Sequence, residues 1–471
     1  RWSSMKPEYD VIVVGAGVGG CMAATTIGTR GKGLRVLIID RNPMAEVGKK
    51  TTSGWICGDA VGEHHLKFIQ SELGITFGSP EIENQVRAVV VSSPDRRVSH
   101  PFEGSGYLLD RPKFARRLLH EALKTGIEYR DLMQATDLLD DGNSVTGIVC
   151  QDLRARQPRP RSITSKLVID ASGMSTKLRR NLRISSFIEK EIDRDDIEPT
   201  IRLNAQLADG IEADTSRCEI ILDAERAPGG YLWIFPKSSS KVNIGLGVQQ
   251  KRTNKSLETL LNQWIDETPL FKGMRRLTDD GNLPGAWPVS VRHQNDSLVA
   301  DGFMLVGDSG WFPNPLSAGG IGPAMTGGLI AGDVATAALQ AGDVSEENLW
   351  EYNVRYVEKY GNKTAALEAF RTYLQTLDNS ELNYGMRNFV THKGAVAFSW
   401  GEIPELSFGD KIQQVALGLR KLRAFKNLAY SVSKMRALNE LYELYPKTPS
   451  QFGEWKKKVD SILSEIRTRL R

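Results

Sequence analysis

Cysteine is scarce in this chain of 471 residues, which has only four. They are Cys21, Cys57, Cys150 and Cys218. Such wide spacing excludes a disulfide-stabilised small domain and a zinc knuckle, and it is typical of a protein in a reducing cytosol. Histidine is scarce as well, and the adjacent pair His64 and His65 has no second ligand cluster at metal-binding spacing. We therefore expect no metal site.

Long hydrophobic runs are also missing. Residues 1–10 are polar, so no secretory signal is expected, and Met5 is a natural start for the chain. An uncharged run, residues 309–332, is interrupted by glycine and proline, which predicts a loop followed by a helix rather than a membrane span. These features favour a cytoplasmic protein.

Net charge is small, at +4, but it is unevenly distributed. Residues 411–471 carry 14 basic and 5 acidic side chains, a net charge of +9, which leaves residues 1–410 at −5. This basic segment predicts peripheral contact with anionic lipid headgroups, although a solvated helical face would have the same composition. Its aromatic residues recur at helical spacing, which favours packing over nucleic-acid binding.

Glycine, in contrast, is abundant, with 44 residues, and predicts loops lined by backbone. The strand-forming residues 9–14 lead directly into a G-x-G-x-x-G motif made by Gly15, Gly17 and Gly20. In a dinucleotide site the first glycine permits a tight turn, the second lets the backbone approach a pyrophosphate, and the third lets helix and strand pack closely. The positive end of the following helix would then receive the diphosphate.

A second apolar run ends at Asp40, 25 residues after Gly15. An acid at this position can accept a hydrogen bond from a ribose hydroxyl. Strand, glycines, helix, strand and acid in this order predict a Rossmann-type dinucleotide site. Ala16 in the turn and Arg41 after the acid are the neighbouring contacts expected there.

Two later elements resemble those of the flavoprotein hydroxylase and reductase superfamily. Residues 167–179 resemble its "DG" element, and residues 303–322 resemble its "GD" element. The resemblance implies FAD, with Asp308 bonding a ribityl hydroxyl and Arg111 contacting the cofactor. It also implies a turn that presents backbone N–H groups to the isoalloxazine, formed by Gly319, Gly320 and Ile321.

Residues 228–236 follow the pattern P-x-x-Y-x-W-x-F-P, which resembles the geranylgeranyl reductase family. Residues 57–60, Cys-Gly-Asp-Ala, resemble a second segment of that family, and residues 444–449 resemble the tail of its archaeal branch. The resemblance implies an FAD-dependent oxidoreductase that saturates geranylgeranyl double bonds in archaeal ether lipids. It also places Gly58 and Asp59 beside the cofactor and His65 beside the substrate.

Residues 228–236 also contain alternating aromatic residues. On a strand, Tyr231, Trp233 and Phe235 would share one face. Such a wall could line an apolar tunnel for an isoprenoid chain, and its ring faces could stabilise positive charge on a reacting alkene. We therefore expect all three to contact substrate and Tyr231 and Trp233 to take part in catalysis. A packed sheet core would give the same alternation.

Cys57 is a catalytic candidate, because reduction of an unactivated alkene needs a proton as well as a hydride. We hypothesise that Cys57 lies near the flavin ring and either delivers the proton or positions the substrate. An inert buried cysteine is the alternative. Cys21, on the first predicted helix, is expected to pack against the sheet.

The predicted fold class is mixed α/β, with strands and helices segregated in places. It has a discontinuous Rossmann-type FAD-binding domain, a mixed β-sheet domain for substrate, and a C-terminal helical domain. Their predicted bounds are 5–80, 105–185 and 295–345 for the first domain, 81–104 and 186–294 for the second, and 346–471 for the third. Amphipathic patterns predict long helices at 346–377 and 411–444.

Two other functions share parts of this pattern. Flavin monooxygenases and halogenases have the same FAD elements, and a non-catalytic prenyl carrier can share the fold without using flavin. The carrier is disfavoured, because the residues expected to hold the cofactor are present. They are Gly15, Gly17, Gly20, Asp40, Arg111 and Asp308.

The electron donor is left open between a transiently docked nicotinamide such as NADPH and a reduced ferredoxin-like protein. No second complete G-x-G-x-x-G follows a predicted strand, which argues against a resident nicotinamide site. The remaining expected partner is the isoprenoid lipid itself, and the protein is expected to be a monomer.

Overall fold

The computed structural model describes residues 7–44, 57–175, 177–278, 284–388 and 421–470. The strands in these ranges are β1 (Tyr9–Val14), β2 (Val36–Ile39), β3 (Ala60–Gly62), β4 (Ile82–Ser92), β5 (Ser99–Leu109), β6 (Glu128–Arg130), β7 (Met133–Asp140), β8 (Val145–Asp152), β9 (Arg161–Asp170), β10 (Ile197–Gln206), β11 (Arg217–Ile221), β12 (Tyr231–Pro236), β13 (Lys241–Gly247), β14 (Arg275–Arg276), β15 (Gly285–Ser290), β16 (Val299–Ala300) and β17 (Phe303–Leu305). The helices are α1 (Val18–Arg30), α2 (Glu63–Leu73), α3 (Arg111–Lys124), α4 (Lys177–Arg180), α5 (Leu257–Glu267), α6 (Ile321–Ala341), α7 (Glu346–Tyr356), α8 (Asn362–Leu374), α9 (Asn379–Asn388), α10 (Leu422–Glu443) and α11 (Phe452–Leu470).

The first sheet has the order β16-β17-β9-β1-β2-β6, with β8 joining β9 to β7. Its centre is parallel: Val11 in β1 pairs with Val36 in β2 on one side and with Leu167 in β9 on the other. The central strands are apolar along their length and buried on both faces, as parallel strands covered by helices must be. This sheet is the predicted Rossmann-type unit.

Helices α1 and α6 cover this sheet and pack closely on each other. A Cβ atom at Gly328 would lie 2.4 Å from the carbonyl oxygen of Gly19, so only glycine allows this approach. Both helices begin at the edge where β1 and β17 end. Their N-terminal ends therefore face the same space beyond the carboxyl ends of the parallel strands.

The second sheet has the order β14-β10-β13-β12-β11-β4-β5-β3, and β15 pairs with β10 on the same edge as β14. It is antiparallel except where β11 runs parallel to β4. Two sheets, one parallel at its centre and one mostly antiparallel, confirm the predicted mixed α/β class. The short strand β3 pairs with β5 in this sheet, while the predicted domain boundaries remain a proposal.

The C-terminal part of the described chain is helical. Helices α7 and α8 are joined by one π-helical turn, Val357–Gly361, and α10 and α11 pack on this pair. The predicted helix at 411–444 is observed from Leu422 to Glu443, and residues 389–420 lie outside the described residues. Within the described ranges, none of the helices combines the length and the apolar composition needed to cross a bilayer.

Candidate active site

A cavity of about 1240 Å³ lies between the two sheets. It exceeds the roughly 300–1,000 Å³ of an ordinary small-molecule pocket, so it has room for a dinucleotide and part of a second ligand. All the residues predicted to contact cofactor or substrate line it except Ala16 and Gly20. Ala16 lies in the turn after β1, and Gly20 lies in the first turn of α1.

The glycine turn after β1 has the geometry that the motif predicts. Gly15 has a φ of +106°, and a Cβ atom there would lie 2.4 Å from the carbonyl oxygen of Ala171. A Cβ atom at Gly20 would lie 2.0 Å from the carbonyl oxygen of Gly15. At Gly17, however, a Cβ atom would meet nothing within 4 Å, because this glycine faces the open cavity. That space lies at the N-terminal end of α1, where a pyrophosphate would be held.

Asp40 supports the same turn from the end of β2. Its carboxylate accepts hydrogen bonds from the backbone N–H of Ala16, at 2.7 Å, and of Asn42, at 2.8 Å. Burial raises the pKa of Asp40, while these two hydrogen bonds and Arg41 oppose the rise. Asp40 and Arg41 both line the cavity, where a ribose bound next to the turn would meet them.

A second cradle is formed after β17. Gly307 has a φ of +72° and leads to Asp308, while Gly319, Gly320 and Ile321 enter α6. Burial raises the pKa of Asp308 to about 6, although Arg111 on α3 opposes the rise. The carboxyl group can hydrogen-bond a hydroxyl of a bound ligand. Backbone N–H groups at the start of α6, a carboxyl and a guanidinium fit the ribityl and ring end of FAD.

The three aromatic residues of β12 form one wall of the cavity. Tyr231, Trp233 and Phe235 all line it, and the centroid of the Trp233 ring lies 6.2 Å from the centroid of each of its two neighbours. Trp233 pairs across the sheet with Gly245 of β13, where a Cβ atom would lie 2.3 Å from the indole ring. The ring thus lies flat over a strand that has no side chain at this point.

The segment that carries Cys57 lies against this wall. Cys57 Sγ accepts a hydrogen bond from the backbone N–H of Asp59 at 3.2 Å, and Asp59 itself has a φ of +65°. Burial raises the pKa of the Cys57 thiol, with Arg111 opposing the rise. The thiol is therefore protonated at neutral pH, which is the form needed to donate a proton. Gly58 lies against the wall, since a Cβ atom there would be 2.8 Å from the Phe235 ring.

Asn243 and Lys237, which were not among the predicted site residues, fix the Cys57 segment to the wall. The Asn243 amide donates to the Cys57 carbonyl and to the Asp59 carboxylate, each at 2.9 Å, and accepts from the Trp233 indole N–H at 2.9 Å. Lys237 Nζ lies 2.8 Å from Asp59 and 2.7 Å from Glu83. We call Asn243, Lys237 and Asp59 the brace. A polar residue in a buried apolar strand was the signal that could have found Asn243.

His65 lies at another edge of the cavity, against the start of α6. Its ring fills the space over Gly322, and its Nδ1 is 3.3 Å from the hydroxyl of Tyr360, which donates to Thr326 at 3.1 Å. Burial, together with His64 and Lys359, lowers the pKa of His65 to about 3, so His65 is neutral. In the described residues, no group of three or more His, Cys, Asp or Glu side chains is arranged to hold a metal ion.

Comparison with protein families gives two matches. Residues 196–278 match the geranylgeranyl reductase catalytic domain, which here spans strands of the second sheet including the aromatic wall. Residues 10–178 match the FAD-dependent oxidoreductase family, which here spans the first glycine cradle.

Two relatives are similar over most of the chain. The digeranylgeranylglycerophospholipid reductase of Sulfolobus acidocaldarius is 32% identical over 463 residues, which cover 98% of each chain. The digeranylgeranylglycerophospholipid reductase 2 of Methanococcoides burtonii is 34% identical over 355 residues, 74% of this chain and 80% of that one.

Solved structures share the fold. A geranylgeranyl bacteriochlorophyll reductase-like protein from Thermoplasma acidophilum has a TM-score of 0.72 at 23% identity, covering 90% of this chain and 99% of that chain. A flavin-dependent brominase has a TM-score of 0.64 at 18% identity, covering 88% of this chain and 99% of that chain. At these identities the likeness concerns the fold alone.

Proposed function

We propose, since the chain belongs to the digeranylgeranylglycerophospholipid reductase family, that it reduces carbon–carbon double bonds in the geranylgeranyl chains of a glycerophospholipid. The protein is an FAD-dependent oxidoreductase, as predicted from its glycine motif and its "DG" and "GD" elements. The substrate assignment rests on the names of its relatives together with the shape and lining of the cavity.

The observation that carries the proposal is that an apolar surface and a dinucleotide cradle share one cavity. Next to the aromatic wall, side chains of the second sheet extend this apolar surface along β4, β5 and β11. They are Val86, Val89, Phe102, Cys218 and Ile220. An isoprenoid chain buried along this surface would be desolvated at roughly 25 cal/mol per Å² of apolar area. Its double bonds would then pass between the wall and the second cradle.

FAD, when bound and reduced, supplies the hydride for this reaction. The protein must supply the proton and stabilise the charge-deficient carbon, which has only alkyl neighbours. The faces of Tyr231 and Trp233 stabilise such positive charge by roughly 0.5–2 kcal/mol, because a ring face is the negative part of its quadrupole. The wall also excludes water from the reacting carbon.

Cys57 is the proposed proton donor or positioning group for the alkene. Its thiol is protonated, and the brace holds its backbone carbonyl beside the wall. If it donates, the S–H bond breaks as the new C–H bond forms, and the thiolate regains a proton from solvent. Asp308, with a pKa of about 6, lies in the second cradle and is assigned to the cofactor.

The test is an anaerobic reaction of chemically reduced holoenzyme with a glycerophospholipid that carries two geranylgeranyl chains. Mass spectrometry should show a gain of two hydrogen atoms for each reduced bond. A parallel reaction with oxygen should give less product, since oxygen consumes the reduced cofactor. Product that forms only with oxygen would overturn the proposal in favour of a monooxygenase or halogenase.

The electron donor, the oligomeric state and membrane contact are not identified by the comparisons. The electron donor remains a prediction, either NADPH or a reduced ferredoxin-like protein, and so does the monomeric state. Peripheral contact of the basic C-terminal segment with a membrane is also a prediction. Several of its basic side chains form ion pairs with acidic residues inside the molecule, which reduces the charge available for lipid. They are Arg423, Lys434, Lys447, Lys456 and Arg467.

A further inference from the structure

A second, smaller cavity adjoins the main one at the Tyr231 end of the aromatic wall. Its volume is about 60 Å³. Tyr231 and Ala318 line both cavities, so they form the partition between them. A buried water molecule needs roughly 10–15 Å³ of such space and polar partners. The small cavity therefore has room for more than one water molecule.

Glu198 of β10 supplies a carboxyl group to the small cavity. The residue is 5% exposed, and its Oε1 accepts a hydrogen bond from the amide of Gln375 at 2.7 Å. The same amide donates to the carbonyl oxygen of Gly229 at 2.9 Å. Arg371 also lines the small cavity, but its guanidinium lies 2.8 Å from the carboxylate of Asp196. That cation is therefore already paired with another acid.

The register of the second sheet brings Glu198 toward Tyr231. Gly247 of β13 pairs with Tyr231 of β12 on one side and with Thr200 of β10 on the other. Glu198 is two residues from Thr200, so both side chains lie on the face of the sheet that carries Tyr231. A Cβ atom at Gly247 would lie 3.6 Å from Glu198 Oε2. The carboxyl group thus extends over a strand that has no side chain at this point.

The Tyr231 hydroxyl is close to acidic groups on both sides of the partition. Burial, together with the charges of Glu198 and Cys57, raises the pKa of Tyr231 above its ordinary value. The phenol is therefore neutral at physiological pH, and its oxygen can accept one hydrogen bond while its O–H donates another. It donates to the carbonyl oxygen of Ser317 at 2.5 Å. Because a hydroxyl O–H rotates, this proton can turn toward the main cavity.

Transfer of a proton from Glu198 to a Cys57 thiolate is energetically downhill. Burial raises the pKa of Glu198 to about 7, although Arg371 and Gln375 oppose the rise. Burial also raises the pKa of the Cys57 thiol above its ordinary value, which is itself higher than that of Glu198. The thiolate therefore holds a proton more tightly than the carboxylate does.

We propose that Glu198 resupplies the proton that Cys57 gives to the alkene, by way of water in the small cavity and the Tyr231 hydroxyl. This inference rests on the proposed function with Cys57 as proton donor. The Glu198 O–H bond breaks as water takes its proton, water passes a proton to the phenol oxygen, and the phenol proton moves to the thiolate. The carboxylate then takes a proton from bulk water. We call Glu198, Tyr231 and the water between them the relay.

A separate route for protons has a physical reason. During turnover the isoprenoid chain and the cofactor occupy the main cavity and exclude water from it. The Cys57 thiolate is then cut off from solvent on that side. The relay reaches it through the partition, so the reacting carbon stays dry while the proton donor is restored.

The test compares the first turnover with later ones, because a thiol that starts protonated needs no resupply. FAD-loaded protein is reduced once by dithionite for the first turnover, or kept with dithionite at a concentration that saturates the wild-type rate for later turnovers. The substrate is a glycerophospholipid with two geranylgeranyl chains, and mass spectrometry counts the hydrogen atoms gained. In Glu198→Gln the first turnover should stay within about twofold of wild type, while later turnovers slow about tenfold.

A pH profile separates proton supply from a purely structural role. The later-turnover rate of the wild type should fall as pH rises through about 7, since Glu198 loses its proton there. The other charged groups next to it, Arg371 and Asp196, are paired with each other. In Glu198→Gln the fall should be absent. Glu198→Asp keeps a carboxyl group and should restore part of the rate and the fall.

The matched control is Glu81→Gln, which makes the same change of charge at a buried position outside both cavities. It should change neither rate. Tyr231→Phe keeps the ring but loses the hydroxyl, so it should slow later turnovers as Glu198→Gln does. The double variant of Glu198→Gln and Tyr231→Phe should be no slower than either single variant, since both interrupt one route.

Three outcomes would overturn the relay alone while lipid is still reduced by the wild type. They are later turnovers of normal rate in Glu198→Gln, a first turnover slowed as much as the later ones, and losses that multiply in the double variant. Absence of lipid reduction in the wild type would instead overturn the proposed function and the relay together.

Discussion

Two groups of buried charges in this protein have opposite surroundings. The brace of Asn243, Lys237 and Asp59 lies in the cavity wall, and its hydrogen bonds end on groups that face a ligand, Cys57 and Trp233. The other group surrounds His293, just before β16, and its partners are the nearby Asp296 and residues of α8 and α11. We expect the first group to orient reacting groups and the second to join parts of the chain.

We call the second group the ionic core. Its charged side chains pair with one another. His293 is fully buried, with Nε2 3.3 Å from Asp296 and Nδ1 hydrogen-bonded to Glu368 of α8. Lys456 lies 2.7 Å from Asp296, and Arg467 lies 3.2 Å from Glu368. Both basic residues belong to α11. Part of the positive charge at the C-terminal end is therefore used to dock that helix.

The comparison suggests that buried charges serve the reaction in the brace and the stability of the fold in the ionic core. Variants of the brace should slow the reaction more than they destabilise the fold, and variants of the ionic core should do the reverse. The four predictions that follow test this separation, beginning with the largest expected effect.

The largest effect is expected from the group that the brace holds. Cys57→Ser should slow alkene reduction about 10²–10⁴-fold, the usual contribution of a positioned proton donor. Single-turnover mass spectrometry with reduced holoenzyme measures this rate, and flavin absorbance checks that cofactor stays bound. Cys21→Ser, in a buried position on α1 that does not line the cavity, is the control. A full rate in Cys57→Ser would end the catalytic assignment.

A large loss of stability is expected from the ionic core. Glu368→Gln removes the charge that pairs with His293 and Arg467, and breaking a buried pair costs about 3–5 kcal/mol. Denaturant unfolding gives the free energy of unfolding. The rate of alkene reduction at a temperature where the variant is folded should stay within about twofold of wild type, since no member of this group lines the cavity. A rate loss larger than the stability loss would contradict the separation.

A mixed effect is expected from Asn243→Leu in the brace. The substitution removes three hydrogen bonds and should cost about 1–3 kcal/mol of stability, because it leaves buried polar groups without partners. It should also lower the rate at saturating lipid about tenfold, because Cys57 and Trp233 are no longer held together. Asn348→Leu, exposed on α7, is the control and should change neither. A change in lipid affinity alone would contradict a positioning role.

The smallest effect is a pH dependence of stability from His293. Burial lowers the pKa of His293, but Asp296 and Glu368 raise it above the ordinary value overall. The charged imidazole therefore stabilises the fold fully below about pH 6.5, and this contribution is lost as pH rises through the raised pKa. Between the ordinary pKa of histidine and its raised value in the fold, the free energy of unfolding should fall by about 1.4 kcal/mol per pH unit. In His293→Gln the difference from wild type should shrink as pH rises, and a parallel curve would contradict this.

The sequence predicted the cofactor cradles well because their requirements are local. Gly15 has a positive φ, Gly20 packs on the backbone of Gly15 five residues away, and the alternation of Tyr231, Trp233 and Phe235 follows from the two-residue period of a strand. FAD dependence, the reductase family and the mixed α/β class were all confirmed. The roles assigned to individual site residues remain predictions.

The brace and the ionic core could not be predicted, because their partners are far apart in sequence. Lys237 meets Asp59 across the second sheet, and Lys456 meets Asp296 only after α11 has packed on α8. Because Lys456 and Arg467 pair with buried acids, the net charge counted along the C-terminal segment overstates the positive charge at its surface.

The contact between Gly19 and Gly328 has a consequence for cofactor choice. It joins the first turn of α1 to α6 about two turns from its start, so the distance between the pyrophosphate position and the ring position is set largely by backbone packing. The spacing of the two cradles therefore favours a cofactor long enough to reach both. A flavin mononucleotide could reach one cradle at a time, whereas a flavin joined to adenosine through a diphosphate fills both.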